Sequence, residues 1–311
     1  MNEKTNSNHL NKISVAASRA RVNDMITELE RAILSQNIRL VRTSCQALRS
    51  ELIEKSQLAA LEGGAVQALV GSLNYAKKDY LVTEIVLSAI SSLGRRPHLS
   101  TGSVAVANFL KIEGLSKICK AALEHKQSIK IRALTLKVLL NCSSDELGAR
   151  VLINSEDTFA FLFDTLNKFA NEHVLVVNVL SVLSNCCLFH LPARHYLINL
   201  ESNKEIFKSL ITISRHFKNN PEVIEQVLCL FCLLSTSKLG VQLLLNFSHQ
   251  NATITCESEV ICIALEALNS FATRSSDKIP YREELSSQQE PASTDADSSH
   301  NSLFVGISES R

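Results

Sequence analysis

The chain has 311 residues, of which 45% are hydrophobic and 20% are charged, and its formal net charge is +1. A charge so near zero gives no field that would drive nucleic-acid binding, so no specific nucleic-acid partner is expected. The longest apolar run, residues 227–234, is far shorter than the roughly 20 residues of a membrane span, and residues 1–11 lack the apolar core of a signal peptide. We therefore expect a cytoplasmic protein, with nuclear presence left open.

One sequence block recurs along the chain. It contains an acidic or small pair, then an amphipathic stretch that ends in leucine, then a longer helix with periodic apolar residues. The block begins at Glu62 and Glu113, with weaker copies from Glu156, Asn203 and Ser258, so that successive copies are spaced by 43 to 55 residues. Helical solenoids have repeats of about 40–47 residues, and loop insertions explain the longer spacings. Because a solenoid is first a binding scaffold, the pattern predicts how the protein works but not which partner it holds.

The predicted elements follow the same repeat. Residues 1–16 are polar and are expected to form a flexible tail, and the solenoid is predicted over residues 17–272. Its units cover residues 17–51, 53–93, 104–142, 146–187, 192–236 and a shortened, capping 238–272. The glycine pair at 63–64 predicts a tight turn, and Asn220 before Pro221 predicts a helix start with an asparagine cap and proline in the first turn. Residues 273–311 are rich in Ser, Asp and Glu and are expected to be disordered.

Residues 56–93 resemble one armadillo repeat. A short helix ends at an acidic-Gly-Gly turn, the apolar stretch 65–70 follows, and a long third helix completes the unit. Later copies end in Val-Leu-Leu-Asn at 138–141 and Val-Leu-Ser-Asn at 182–185, similar to the family's leucine-x-asparagine ending. The resemblance covers about residues 18–272. It implies an all-α, right-handed solenoid of about five to six armadillo-like repeats and is nearly silent on function, since one fold serves unrelated roles.

In that family the third helices line a concave groove. Projected onto this chain, the groove positions are mostly small or polar: Gln46, Ser50, Ser88, Ser92, Lys137, Asn141, Ser181, Asn185, Phe231 and Ser235. An asparagine amide can clamp a peptide backbone with one donor and one acceptor. The alternative, which we favour, is that Asn141 and Asn185 satisfy groups between neighbouring repeats. Phe231 is the best candidate anchor for a partner, although a role in the core is favoured for a residue of this type.

The nuclear-import members of the family pair the groove asparagine with a tryptophan one turn earlier, and the two together hold a basic peptide. This chain contains no tryptophan, and Lys137 and Ser181 stand in those positions. A lysine there would repel a lysine of the ligand. A basic nuclear-signal peptide is therefore not an expected partner.

Charge gives a second candidate surface, a basic patch at the N-terminal half of the solenoid. Its members are Arg39, Arg42, Arg49, Arg95 and Arg96. An acidic partner could bind there. The alternative is an ordinary solvated helix surface, because acidic residues are interspersed among the arginines.

The polar tail contains one apolar island, formed by Leu303, Phe304, Val305 and Ile307. This contrast suggests a short docking motif for another protein or for the solenoid's own groove. A chance apolar cluster in an inert tail is an equal alternative, since short clusters are weak evidence of binding.

Nine cysteines occur in the chain. Disulfides are not expected in a reducing compartment, and the members of apolar helical runs are predicted to be core residues: Cys45, Cys142, Cys186, Cys187, Cys229, Cys232 and Cys262. The spacing of Cys229 and Cys232 imitates a metal knuckle, but no second ligand pair lies at zinc-site spacing, so no metal or other cofactor is predicted.

No phosphate-binding loop, metal-binding helix motif or nucleophile elbow occurs in the sequence, so catalysis is not expected. The favoured interpretation is a non-enzymatic scaffold or adaptor that holds an extended peptide or a helix of one or more partner proteins. Two alternatives stay open. One is an assembly factor or chaperone that captures client proteins, and the other is a regulator of small GTPases.

Overall fold

The computed structural model describes residues 2–54, 64–93, 109, 113–144, 146–199, 203–236 and 240–241, all within the unit Met1–Ser270. Throughout these ranges the regular secondary structure is α-helical, which confirms the predicted all-α class. The helices are α1 Asn2–Leu34, α2 Ile38–Glu54, α3 Ala65–Ala76, α4 Tyr80–Leu93, α5 Gly114–Glu124, α6 Ile129–Ser143, α7 Glu146–Ile153, α8 Glu156–Lys168, α9 His173–Phe189, α10 Leu191–Asn199, α11 Asn203–His216 and α12 Pro221–Leu234.

Local side-chain caps set where several of these helices begin. The carboxamide oxygen of Asn37 accepts from the backbone amides of the first turn of α2, and Asp79 and Ser128 do the same for α4 and α6. At α12 the side chain of Asn220 accepts from two backbone amides and Pro221 opens the helix, as the sequence predicted. Each cap satisfies amides that the first helical turn cannot pair internally.

The turn predicted at the glycine pair is confirmed at its second residue. Gly64 has φ of 87°, in the left-handed region, immediately before α3 begins at Ala65. Glycine adopts this conformation without the steric cost that a side chain brings. Residue 63 lies outside the described ranges.

The N-terminal boundary differs from the prediction. Helix α1 begins at Asn2, inside the segment that was expected to be a flexible tail, and continues without interruption to Leu34. The polar composition of residues 2–16 gave no apolar periodicity from which a helix could be predicted. The sequence therefore placed the start of α1 too late.

The helices contact one another in two series. In the first, α1 contacts α3, α3 contacts α5, α5 contacts α8 and α8 contacts α11. In the second, α2 contacts α4, α4 contacts α6, α6 contacts α9 and α9 contacts α12. Hydrogen bonds within the series join residues 37 to 50 positions apart. This range overlaps the spacing of 43 to 55 residues between successive copies of the sequence block.

The second series shares one buried row. When its five helices are aligned on their first residues, one row contains Leu48, Ile90, Leu139, Leu183 and Phe231. All five side chains are buried, and they belong to one continuous hydrophobic core. Equivalent positions therefore face the core in every helix of the series.

Candidate partner-binding surface

Eight of the ten predicted groove positions lie at two equivalent sites, four residues apart, on α2, α4, α6 and α9. The same alignment places Gln46, Ser88, Lys137, Ser181 and Cys229 at equivalent positions on α2, α4, α6, α9 and α12, and we call these five residues the polar stripe. Gln46 and Cys229 are exposed, and the other three are partly buried. Four of the five were predicted from the sequence.

The fifth predicted position, Phe231, is not an exposed groove residue, and its burial agrees with the core role that the sequence favoured. Its side chain is 3% exposed and lies in the buried row of the core. Helix α12 buries Val227, Leu230 and Leu234 on the same face, so Phe231 shares their helical phase. The residue equivalent to Ser181 is Cys229, two positions earlier. Ser235, the other residue predicted in this unit, is exposed at the end of α12.

The two groove asparagines bond to the preceding helix of the series. Asn141 Nδ2 lies 3.4 Å from the carbonyl oxygen of Ser91, and Asn185 Nδ2 lies 3.0 Å from Ser143 Oγ. Both amide nitrogens therefore donate within the protein. This geometry agrees with the structural role that the sequence favoured for them.

Other small polar groups near the stripe are also engaged. Ser181 Oγ donates to Gln226 Oε1 at 3.0 Å, which joins α9 to α12. Ser50 and Ser92 donate to backbone carbonyls of their own helices, those of Gln46 and Ala89. Their hydroxyl hydrogens are therefore not available to a partner in this arrangement.

Three members of the polar stripe keep their side-chain donors free. Within the described ranges, no hydrogen bond or ion pair involves the amide of Gln46, the hydroxyl of Ser88 or the ammonium group of Lys137. These residues lie on α2, α4 and α6, which contact one another in that order. The free donors are thus concentrated at the N-terminal half of the series.

Several other cations of the chain are neutralised by carboxylates one repeat away. Arg42 pairs with Asp79, and three lysines pair at 2.6 to 3.7 Å: Lys77 with Glu124, Lys120 with Asp157 and Lys130 with Glu84. The hydrogen bond from Arg42 lowers the pKa of Asp79, and the amide of Val82 adds to the effect. These pairs join neighbouring helical units and compensate the four cations that they contain.

The predicted basic patch is divided by this pairing. Arg42 is held by Asp79, whereas Arg39 and Arg49 make no ion pair with any described residue. The Nε atom of Arg49 is buried and has no hydrogen-bond partner. Arg95 and Arg96 lie outside the described residues, as do all members of the predicted tail motif, Leu303, Phe304, Val305 and Ile307.

A buried arginine that the sequence analysis missed holds α6 against α8. Arg132 is 0% exposed, and its Nη1 and Nη2 donate to Thr165 Oγ1 at 2.7 Å and Asp164 Oδ2 at 2.5 Å. The guanidinium also lies over the rings of Phe161 and Phe169, at 5.3 and 5.2 Å from their centroids. One feature of the sequence could have revealed this role. Arg132 stands at a position where the apolar periodicity predicts a core residue.

The carboxylate of this pair serves two cations. Asp164 Oδ1 accepts from Lys168 Nζ at 2.6 Å, while the other oxygen accepts from Arg132. Burial raises the pKa of Asp164, but the hydrogen bonds from Lys168 and Arg132 outweigh it and the pKa is lowered overall. The carboxylate is therefore ionised when it balances the buried guanidinium.

The cysteines divide into buried and exposed groups. Burial in the core is confirmed for the predicted members Cys45, Cys142, Cys186 and Cys187, and Cys119 is buried as well. Burial raises the pKa of Cys45 to about 11 and those of Cys119, Cys186 and Cys187 to about 12. The prediction was wrong for Cys229 and Cys232, which are exposed on α12, and Cys262 lies outside the described ranges.

The described side chains give no sign of a metal centre or of a membrane span. In that part of the chain, no three His, Cys, Asp or Glu residues are grouped so that they could share a metal ion. None of the helices there combines the length and the apolar character that crossing a membrane requires. Comparison of the chain with protein-family models, curated proteins and solved structures gave no match.

Proposed function

We propose that this chain is a non-enzymatic scaffold that binds an extended segment or a helix of a partner protein across α2, α4, α6, α9 and α12. In this proposal the helices form a right-handed, armadillo-like solenoid of about five to six repeats, and the polar stripe lies in its concave groove. The observation that carries the proposal is the stripe itself. Equivalent positions on five successively contacting helices present small or polar side chains to solvent.

Helix spacing gives the expected length of the bound segment. Packed helices lie about 8–10 Å apart, and an extended chain advances about 3.3 Å per residue, so a peptide would pass one helix about every three residues. A segment that spans the whole stripe would therefore contain about 12 to 15 residues. Affinity would come from many modest contacts rather than from one deep pocket.

Site-specific photo-crosslinking tests this proposal. A photo-reactive amino acid is placed at Ser88 or Ser181 in the stripe, and at Asn74 or Ala160, which are exposed on α3 and α8 of the first series. We expect defined segments of partner proteins to be captured from the two stripe positions and not from the two controls. Excess unlabelled protein should compete for the same segments. Equal capture at all four positions, or none at the stripe, would overturn the proposal.

A chaperone and a GTPase regulator would each give a different experimental result from a scaffold. A chaperone would suppress aggregation of a heated client, and its crosslinks would spread over many unrelated segments. A GTPase regulator would change the rate of nucleotide release from its partner. Both functions, like the cytoplasmic location, stay predictions from the sequence.

A further inference from the structure

We infer that the segment bound across α2, α4 and α6 is acidic and extended, and that its carboxylates are held by Arg49 and Lys137. This inference rests on the proposed function and names the chemistry of its ligand. It is an inference about a partner protein, and the charges of the described residues carry it.

Helices α2 and α6 each carry at least one cation that forms an ion pair and at least one that forms none with a described residue. Arg42 on α2 and Lys130 on α6 are each neutralised by a carboxylate of a neighbouring repeat. Arg49 and Lys137, further along the same two helices, have no such carboxylate among the described residues. Glu51, the acidic residue nearest to Arg49 in the chain, lies 3.9 Å from Arg21.

The Arg49 side chain has a donor without an acceptor. It is partly buried, and its Nε is shielded from water without a hydrogen-bond acceptor. A shielded donor without an acceptor is unfavourable. A guanidinium presents its donors in a planar fork that matches the two oxygens of a carboxylate. An acidic side chain bound to this fork would supply the charge that Arg49 lacks.

The two unpaired cations lie on helices that α4 separates. Arg49 follows Leu48 of the buried row on α2, and Lys137 lies two residues before Leu139 of the same row on α6. Helix α4 contacts both α2 and α6, so Ser88 lies on the helix between the two cations.

This placement specifies the ligand. Arg49 and Lys137 lie on helices two steps apart, about 16–20 Å, so the best ligand has two acidic residues separated by about five positions. The free donors of Gln46 and Ser88 can bond to backbone carbonyls of the segment between them.

The charge is reversed at the opposite end of the series, which disfavours a uniformly charged ligand such as a nucleic acid. The positions that Arg39 and Arg42 occupy on α2 are occupied by Glu222 and Glu225 on α12, both exposed. A nucleic-acid backbone would be repelled there, whereas a protein segment can be acidic over α2 to α6 and neutral or basic beyond. The charge reversal therefore favours a peptide, with its acidic part over the N-terminal half of the series.

Fluorescence anisotropy with the full chain tests the inference. The probe is a fluorescein-labelled peptide of alternating glutamate and serine, and the control peptide has glutamine in place of each glutamate. The test variant combines Arg49→Glu with Lys137→Glu. The matched control combines Lys126→Glu with Lys218→Glu, which makes the same change in net charge at two exposed turn residues. A milder variant, Arg49→Gln with Lys137→Gln, serves if the first one does not fold, as judged by circular dichroism.

We expect the acidic peptide to bind the wild type and the control variant equally, and the test variant at least about tenfold more weakly because like charges then face each other. Added salt should weaken binding, since exposed charges are screened. Three results would overturn the inference: no binding of the acidic peptide, equal binding of the glutamine peptide, or competition by a single-stranded oligonucleotide as strong as that by unlabelled acidic peptide. If these occur while Ser88 and Ser181 still crosslink to defined segments, the ligand chemistry is wrong and the scaffold proposal stands.

Discussion

Replacement of Asp164 by alanine should destabilise the protein by about 3 kcal/mol, because it leaves a buried cation without its counter-charge. The Arg132 side chain is 0% exposed, and the carboxylate lies 2.5 Å from its Nη2. After the substitution the guanidinium keeps one neutral acceptor, Thr165 Oγ1, and the faces of two phenylalanine rings. We take the lower end of the usual range of about 3–5 kcal/mol because 25% of the Asp164 side chain is exposed, so water can approach the site.

Lys168→Ala is the matched control for this prediction. It removes the other cation from the same carboxylate, but the Lys168 side chain is 43% exposed, so the pair is screened by solvent and the expected loss is below about 1 kcal/mol. Urea unfolding followed by circular dichroism gives both free energies of unfolding, and constant m-values are required for the comparison.

A double variant separates the buried charge from other effects of the substitution. If the stranded guanidinium causes the loss, adding Arg132→Leu to Asp164→Ala should recover part of the stability, because no unpaired charge is then buried. Equal losses for Asp164→Ala and Lys168→Ala, or a further loss in the double variant, would refute the reasoning.

Gly148→Ala should destabilise the chain because the added Cβ would collide with a backbone carbonyl of α6, whereas Gly71→Ala, with nothing within 4 Å of its Cβ, should stabilise it by up to about 1 kcal/mol. Urea unfolding compares the two variants, and equal effects would contradict the packing. Of the seven cysteines that the structure describes, iodoacetamide at about pH 8 should label Cys232 first and Cys229 next, since burial raises the pKa of Cys229. It should reach the five buried thiols only after unfolding, and peptide-resolved mass spectrometry reads the order. The lowered pKa of Asp79 means that its contribution to stability is present above its ordinary pKa near 4 and is lost as the pH falls below it. Asp79→Asn should therefore flatten the loss of stability between about pH 5 and pH 3, and an unchanged slope would contradict this.

Periodicity and local caps carried most of the fold prediction. The recurring block predicted a spacing of 43 to 55 residues, and hydrogen bonds between successive helices of the second series join residues 42 to 50 positions apart. Asn220 with Pro221 and the glycine at 64 fixed a helix start and a turn, because their conformational preferences act over a few residues. Such signals are local, so the sequence alone is enough to read them.

The error at α12 shows where periodicity fails. Residues 227–234 are apolar throughout, so nothing in that run marks which side of the helix faces solvent. The exposed side is formed by Cys229 and Cys232, residue types that usually lie in the core, and Phe231 was taken for the exposed residue instead. On the other four helices a polar residue occupies this position, and the predicted groove residue there is exposed or partly buried.

The candidate site depends on which cations form ion pairs with distant carboxylates. No local sequence pattern contains this information. Arg42 and Arg49 lie on one helix and are the same residue type, yet Asp79 of the next repeat neutralises only the first. A carboxylate 37 residues away decides this, and its reach depends on how α2 and α4 pack. The ion pairs also predict that substitutions of Arg42 and of Arg49 have different effects. Loss of Arg42 breaks its ion pair with Asp79 and should change stability. Arg49 makes no ion pair with a described residue, so its loss should mainly change the affinity for an acidic segment. A cation that no described carboxylate pairs is therefore the stronger candidate for binding. On α2 and α6 that criterion keeps Arg39, Arg49 and Lys137, and the shielded Nε of Arg49 favours it over Arg39.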